Sequence, residues 1–180
     1  MTAGPDVMPT TGGNYQLTKE GWKSPFSRET EIVRPGYHKI HLDKYNLDAE
    51  VTSTERVGFS RYTVMDGGRL DIIFNLGGPL GDMVLRNGTV TKVSDTEIEG
   101  SFDRTDGRWG GPPRIRVFFV AKVDRPFDKL ETWSNDEHPG QPVSPGPAPY
   151  EGPFRDKSAV MEFNDLPKGS VVQQIGRAHV

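Results

Sequence analysis

Hydrophobic and polar positions alternate along most of the chain. Leu47, Ala49, Val51 and Ser53 take turns with Asp48, Glu50, Thr52 and Thr54, the period-two pattern of a strand with one wet face, whose core side is the odd-numbered one. Leu70, Ile72, Phe74 and Leu76 repeat the pattern with Arg69, Asp71 and Asn75 opposite. Ile73 breaks that polar side, which implies partial cover on the second face and a central place in the sheet. Between Arg114 and Val123, one face carries Ile115, Val117, Phe119, Ala121 and Val123, while Phe118 and Val120 interrupt the charged opposite face. Burial on both faces is the reading there. The segments Gly36 to Leu42, Val57 to Val64, Met83 to Leu85, Thr89 to Val93, Glu97 to Phe102, Phe127 to Trp133 and Ala159 to Phe163 bring the list to about ten short strands, at the spacing of sandwiches. No window has the period of a long amphipathic helix. The fold class is therefore all-β: an antiparallel β-sandwich of about ten or more strands.

Punctuation divides these strands. Asn87-Gly88 is a hairpin signal, because both central residues of a type I′ turn need positive φ; with Thr89 the same residues form a glycosylation sequon. Asp66-Gly67-Gly68, Gly77-Gly78-Pro79 and the glycines around Trp109 mark further turns. Residues 138–155 are too rich in proline for a central strand. This proline-rich segment is a loop insertion, and the apolar strand after it makes it an interruption within one domain, spanning 1–174, rather than a boundary between two.

Composition narrows the class. The chain has 180 residues, a net charge of -3 and no cysteine. It is long enough for one core without staples, and it has no disulfides or thiolate metal sites. The mild charge carries neither a nucleic-acid footprint nor a membrane patch. No apolar run approaches the roughly 18 residues that span a bilayer, and the N-terminus shows no signal peptide.

A longer signature stands in the first third. Pro35-Gly36-Tyr37 makes a turn, the segment Asp48-Ala49-Glu50-Val51-Thr52-Ser53-Thr54-Glu55-Arg56-Val57-Gly58 follows, and Arg61-Tyr62-Thr63 closes it. This resembles the N-terminal domain of glycoside hydrolase family 92, the calcium-dependent α-mannosidases, where a Pro-Gly-Tyr turn leads through Ala-Glu-Leu-Thr-Ala-Thr into Arg-x-Gly-x-His-Arg-Tyr-Thr-Phe. The resemblance implies an exported protein, extracellular or periplasmic, acting on α-mannoside glycans. It implies that the acid, base and calcium ligands lie in a helical catalytic domain C-terminal to this region, so that neither catalytic residues nor a calcium site are expected within these residues. Asp6 to Gly12 resembles the stretch just after a sugar-contacting segment of the family, so the chain is expected to be truncated at both ends. Ile175-Gly176-Arg177-Ala178-His179-Val180 spells what one frame of a common sequencing adaptor encodes, where the family would have a strand reading Val-Gly-Ile-Ser-Tyr-Val; residues 175–180 are expected to be a non-native tail. Ser60 stands where a histidine commonly precedes Arg-Tyr-Thr, and Val64 where phenylalanine is usual.

Local chemistry is sparse by comparison. Glycoside hydrolysis needs two carboxyl groups, about 5 Å apart for retention and roughly 6.5 to 9.5 Å for inversion. Glu97 and Glu99, two apart on one strand face, sit near ~7 Å, yet their alternation with Thr96 and Ile98 is that of a solvated face. His38 and His41 are three apart and point to opposite faces, which rules them out as joint ligands of one metal. Asn135-Asp136-Glu137-His138 offers oxygen ligands without the spacing of a calcium loop. The loop Gly107 to Gly111 is the best candidate for sugar contact: Trp109 can lie flat against a pyranose face, with Arg108, Asp106 and Asp103 serving hydroxyls, although a tryptophan packed over a sandwich edge fits the same residues. Trp22 and Trp133 are weaker candidates. Glu55, Arg56, Arg61 and Tyr62 form either a structural ion-pair lattice or a wall of a cleft.

Two functions are consistent with these readings. One is a fragment of the N-terminal carbohydrate-binding or scaffold domain of an exo-α-mannosidase, walling the mannose site with its helical domain. The other is a stand-alone carbohydrate-binding or structural sandwich without catalysis.

Overall fold

A computed structural model describes residues 2–4, 24–74, 76, 78–80, 83–105, 114–134 and 157–179. Among them are thirteen strands and one short 3-10 helix, and all strand pairs are antiparallel. In chain order the strands are β1 (Thr2–Gly4), β2 (Ile32–Arg34), β3 (Tyr37–Leu42), β4 (Leu47–Ser53), β5 (Val57–Val64), β6 (Gly68–Phe74) and β7 (Gly78–Leu80). They continue with β8 (Met83–Ser94), β9 (Glu97–Thr105), β10 (Arg114–Val123), β11 (Lys129–Ser134), β12 (Lys157–Leu166) and β13 (Ser170–His179). A nine-stranded sheet runs β2-β3-β4-β5-β13-β10-β9-β8-β7, and a four-stranded sheet runs β1-β6-β12-β11. The chain crosses from the large sheet to the small one after β5 and back after β6, then repeats the exchange through β11, β12 and β13. These exchanges tie the sheets into one sandwich.

The core lies between the sheets. From the small sheet come Leu70, Ile72, Phe74, Ala159, Met161 and Phe163; from the large one come Leu47, Tyr62, Val64, Ile98, Ala121, Val123 and Val172. The alternation read in β6 holds, and Ile73 is buried as its break in polarity implied. Its polar side is not wet, however. Asp71 is fully buried and pairs with Glu162 across β6 and β12, with Arg69 bridging the two carboxylates at 2.8 Å and 3.4 Å. Both faces of the small sheet are therefore covered, and the shared cation offsets the burial of two acids.

Three other expectations change. In β4 the odd side faces the core at Leu47 and Ala49, but Val51 is exposed and the even-side Glu50 is buried. Position along the strand outweighs alternation there, because the small sheet covers only one end of the large one. In β10 the second face is not buried: Phe118 is 45% exposed, stacked on His179. Asn87-Gly88 does not turn the chain; β8 runs straight through it, with the register against β9 shifting between Arg86 and Thr89. Asn87 takes its positive φ of 53° as a β-bulge and donates from Nδ2 to Asp103 Oδ2 at 2.6 Å. The hairpin turn falls later, at Asp95-Thr96.

At the far end of the chain, β13 continues to His179, pairing Gly176 with Gly58 and His179 with Phe118, so residues 175–179 extend a central strand. A ladder is made by backbone groups, so it forms through this segment irrespective of side chains. The proline-rich 138–155 segment lies outside the described residues. The strands on either side of it, β11 and β12, pair with each other from Lys129↔Glu162 to Ser134↔Lys157.

Candidate functional site

At one end of the strands the small sheet stops short, and the inner face of the large sheet opens into a cleft of about 460 Å³. Its wall on one side is the β4–β5 turn, Ser53 to Gly58, which carries Glu55 and Arg56. The small sheet's side contributes Phe74 and Leu76, and the large sheet contributes Phe102, Phe119, Gln174 and Gly176. Another, shallower depression of about 530 Å³ lies at the β2–β3 edge, around Val33, Tyr37, His38 and Val51, and shares Ser53 with the first.

Each wall has a local cause. Phe119 lies opposite Gly100 in the β9–β10 ladder. A Cβ at Gly100 would fall 2.7 Å from the Phe119 ring and 2.0 Å from the Thr89 carbonyl oxygen, so only glycine lets the ring lie down over the backbone. The ring then stacks on Phe74 of the small sheet, centroids 6.3 Å apart and planes 9° from parallel. This pair seals the core and forms the cleft's apolar end.

The floor is polar. Ser60 and Gln174 are cross-strand partners on the inner face, and both are buried, Gln174 to 1% exposure. Burial pushes the Tyr62 pKa up, and the nearby Ser60 hydroxyl tempers that push. Gln174 Oε1 has no partner among the described residues. Gly58 and Gly176, paired beside it, leave bare backbone between the amide and the cleft mouth.

The opposite, outer face of the same strands holds an ion-pair lattice. Arg61 donates from Nε and Nη2 to the two Glu50 oxygens at 2.7 Å and 2.6 Å, and Tyr37 donates its hydroxyl to Oε1 at 2.6 Å. Lys39 and His41 hold Asp48 at 2.8 Å each. The Arg61 hydrogen bonds keep the Glu50 carboxyl below its usual range, outweighing the opposing effect of burial. Burial pushes Asp48 up, but the hydrogen bonds from Lys39 and His41 together hold it below its ordinary value.

The signature residues thus divide among three places. Arg61 belongs to the lattice, Tyr62 to the core, and Glu55 and Arg56 to the cleft. Asp106, Arg108 and Trp109, the residues read as sugar contacts, lie outside the described residues, as do Trp22, Asn135 and the rest of its polar run. Asp103 is buried and bonded to Asn87 and Arg116. Glu97 pairs with Lys122 and Glu99 is exposed, a solvated face in both cases. His38 contacts Glu31 and His41 contacts Asp48, on opposite faces. Among the described residues no group of three or more His, Asp or Glu is placed to hold a metal. The acids Asp48, Glu50, Asp71, Asp103 and Glu162 are each engaged by an arginine or lysine. Gln174 and the Asp71–Glu162 pair escaped the sequence reading. Gln174 adjoins the suspected tail, and Asp71 has the pattern of a solvated strand face until its partners are in place.

The family model for the glycosyl hydrolase family 92 N-terminal domain matches residues 3–176. The chain belongs to this family. Among solved structures, a family GH92 α-mannosidase from Bacteroides thetaiotaomicron superposes with a TM-score of 0.69 at 21% identity, over 88% of this chain and 20% of its own. The same enzyme in complex with mannoimidazole gives the same values. A family GH92 inverting mannosidase from Bacteroides thetaiotaomicron VPI-5482 gives a TM-score of 0.56 at 13% identity, over 86% of this chain and 19% of its own. No curated protein matches. The family 92 domain described here therefore spans about a fifth of those solved enzymes.

Proposed function

We propose that this family 92 domain is the N-terminal scaffold of an exported exo-α-mannosidase, and that the open end of its inner face walls the mannose site together with a helical catalytic domain. The observation that carries the reading is the cleft: its rim is the Glu55–Arg56 turn of the family signature, and its opening lies where the small sheet leaves the large one bare. Solved structures of similar fold come from enzymes described as mannosidases, one of them holding mannoimidazole. In this reading α-mannoside glycans reach the domain in the joined enzyme, and the acid, base and calcium are supplied by the rest of it. The test joins this chain to the downstream part of its reading frame and follows mannose release from α-linked mannosides. The joined protein is expected to turn over and the chain alone to be inactive; in the joined protein, Glu55→Ala or Arg56→Ala raises KM. Turnover by the purified chain, abolished by Glu97→Gln or Glu99→Gln, would overturn the assignment. A stand-alone carbohydrate-binding or structural sandwich is the alternative reading, favoured by the closed hydrophobic cluster between the sheets.

A further inference from the structure

We propose that Asn87 is a site of covalent modification: its carboxamide converts to aspartate or isoaspartate through the Gly88 nitrogen, and its hydrogen bond to Asp103 sets how fast. The function proposed above plays no part in this.

Of the six asparagines in the chain only Asn87 precedes glycine. Glycine has no Cβ to hinder a backbone nitrogen that folds back on the preceding side chain. The Gly88 nitrogen attacks Asn87 Cγ: the N–Cγ bond forms, Cγ–Nδ2 breaks, and Nδ2 leaves with the Gly88 proton as ammonia. Water then opens the five-membered imide at either carbonyl, its hydroxyl bonding to that carbon and its proton going to the released nitrogen. The products are aspartate and isoaspartate, the second with one more atom in the main chain.

The fold opposes the first step. Nδ2 donates to Asp103 Oδ2 at 2.6 Å; Asp103 is 1% exposed, and Arg116 Nε lies 3.2 Å from its other oxygen. Asn87 takes its positive φ at the bulge, and the ladder resumes at Thr89↔Ser101, where Ser101 donates its backbone N–H to Thr89 Oγ1 at 3.1 Å. Before the carboxamide can turn toward Gly88, its bond to Asp103 must break. Conversion removes that hold. A carboxylate at position 87 has no N–H to give and meets a buried acid of the same sign. Isoaspartate also lengthens a strand whose register is set on both sides of the bulge. The modification is therefore irreversible and loosens β8 from β9.

The test ages the full chain at neutral pH with and without guanidinium and follows conversion at each asparagine by peptide mass mapping. Conversion is expected to concentrate at Asn87 and to run at least roughly tenfold slower in the fold, the scale of the charged hydrogen bond that must open first. Asp103→Ala should bring the folded rate toward the denatured one, compared at equal folded fraction by near-ultraviolet circular dichroism. Asn87→Asp and Asn87→Ala carry the test without touching Asp103: both lose the donor, only aspartate adds the charge, and so Asn87→Asp should melt at the lower temperature. No conversion at Asn87 in either condition, or equal rates in fold and denaturant, overturns the proposal. A folded Asp103→Ala chain that converts no faster than wild type does the same, as does an Asn87→Asp midpoint at or above that of Asn87→Ala.

Discussion

The two ends of the large sheet's inner face share the same strands but not the same chemistry. At the covered end β4, β5, β13 and β10 present Leu47, Val64, Val172 and Val123, all buried against the small sheet. Val51, Ser60 and Gln174 stand in one cross-strand row with Val123, and beyond that row β5, β13 and β10 present Gly58, Gly176 and Phe119 to the cleft. Val33, on the neighbouring edge strand, is 70% exposed. A sheet face that needs only stability would be apolar along its whole buried length. Here apolar volume gives way to glycine, serine and an amide beside the cleft.

That contrast can be broken by substitution, and the largest effect belongs to the covered end. Phe163→Ala removes a ring at 1% exposure and is expected to cost about 3–5 kcal/mol in chemical denaturation. A loss below about 1 kcal/mol would mean the sandwich is not closed there. Next comes Gly100→Ala, which drives a methyl group into the Thr89 carbonyl and the Phe119 ring. It should destabilise by about 1–3 kcal/mol and disturb the cleft's aromatic end as well.

Arg61→Ala tests whether the outer lattice is structural. It leaves the buried Glu50 carboxylate with Tyr37 as its remaining bonded partner, at a cost of about 1–3 kcal/mol at neutral pH. Because the Glu50 carboxyl lies below its usual pKa in the fold, the pair's contribution is complete above about pH 5 and fades as pH falls below about 4. The difference between variant and wild type should therefore narrow in acid; a constant gap would assign the loss to packing. Gln174→Leu is expected to change stability by less than about 1 kcal/mol, toward stabilisation, as an orphaned amide is exchanged for an apolar group. Smallest of all, Val33→Thr should stay within about 0.5 kcal/mol, since the side chain is open to solvent. A larger loss would mean that another surface covers it in solution.

Much of this was legible in the alternation. β5 appears with the bounds read from the sequence, Val57–Val64, and β6 sits in the interior of its sheet with Ile73 buried. The signature around Glu50 to Tyr62 named the family before any fold was seen. What misled the reading was local evidence for global facts. Asn87-Gly88 specifies positive φ, which serves a bulge as well as a turn, and only the partner strand β9 decides between them. The charge of Asp71 reads as wet until Arg69 and Glu162 are brought beside it.

Strands, their facing sides and the family were written in the residue order, because side-chain period and turn chemistry are properties of neighbouring residues. Where burial stops was settled by the packing of the two sheets. The length of the small sheet relative to the large one is encoded in no single strand, yet it makes Leu47 core and Val51 surface on one face of β4. The same mismatch in length opens the cleft over Gln174, because a sheet face is dry only as far as its partner reaches.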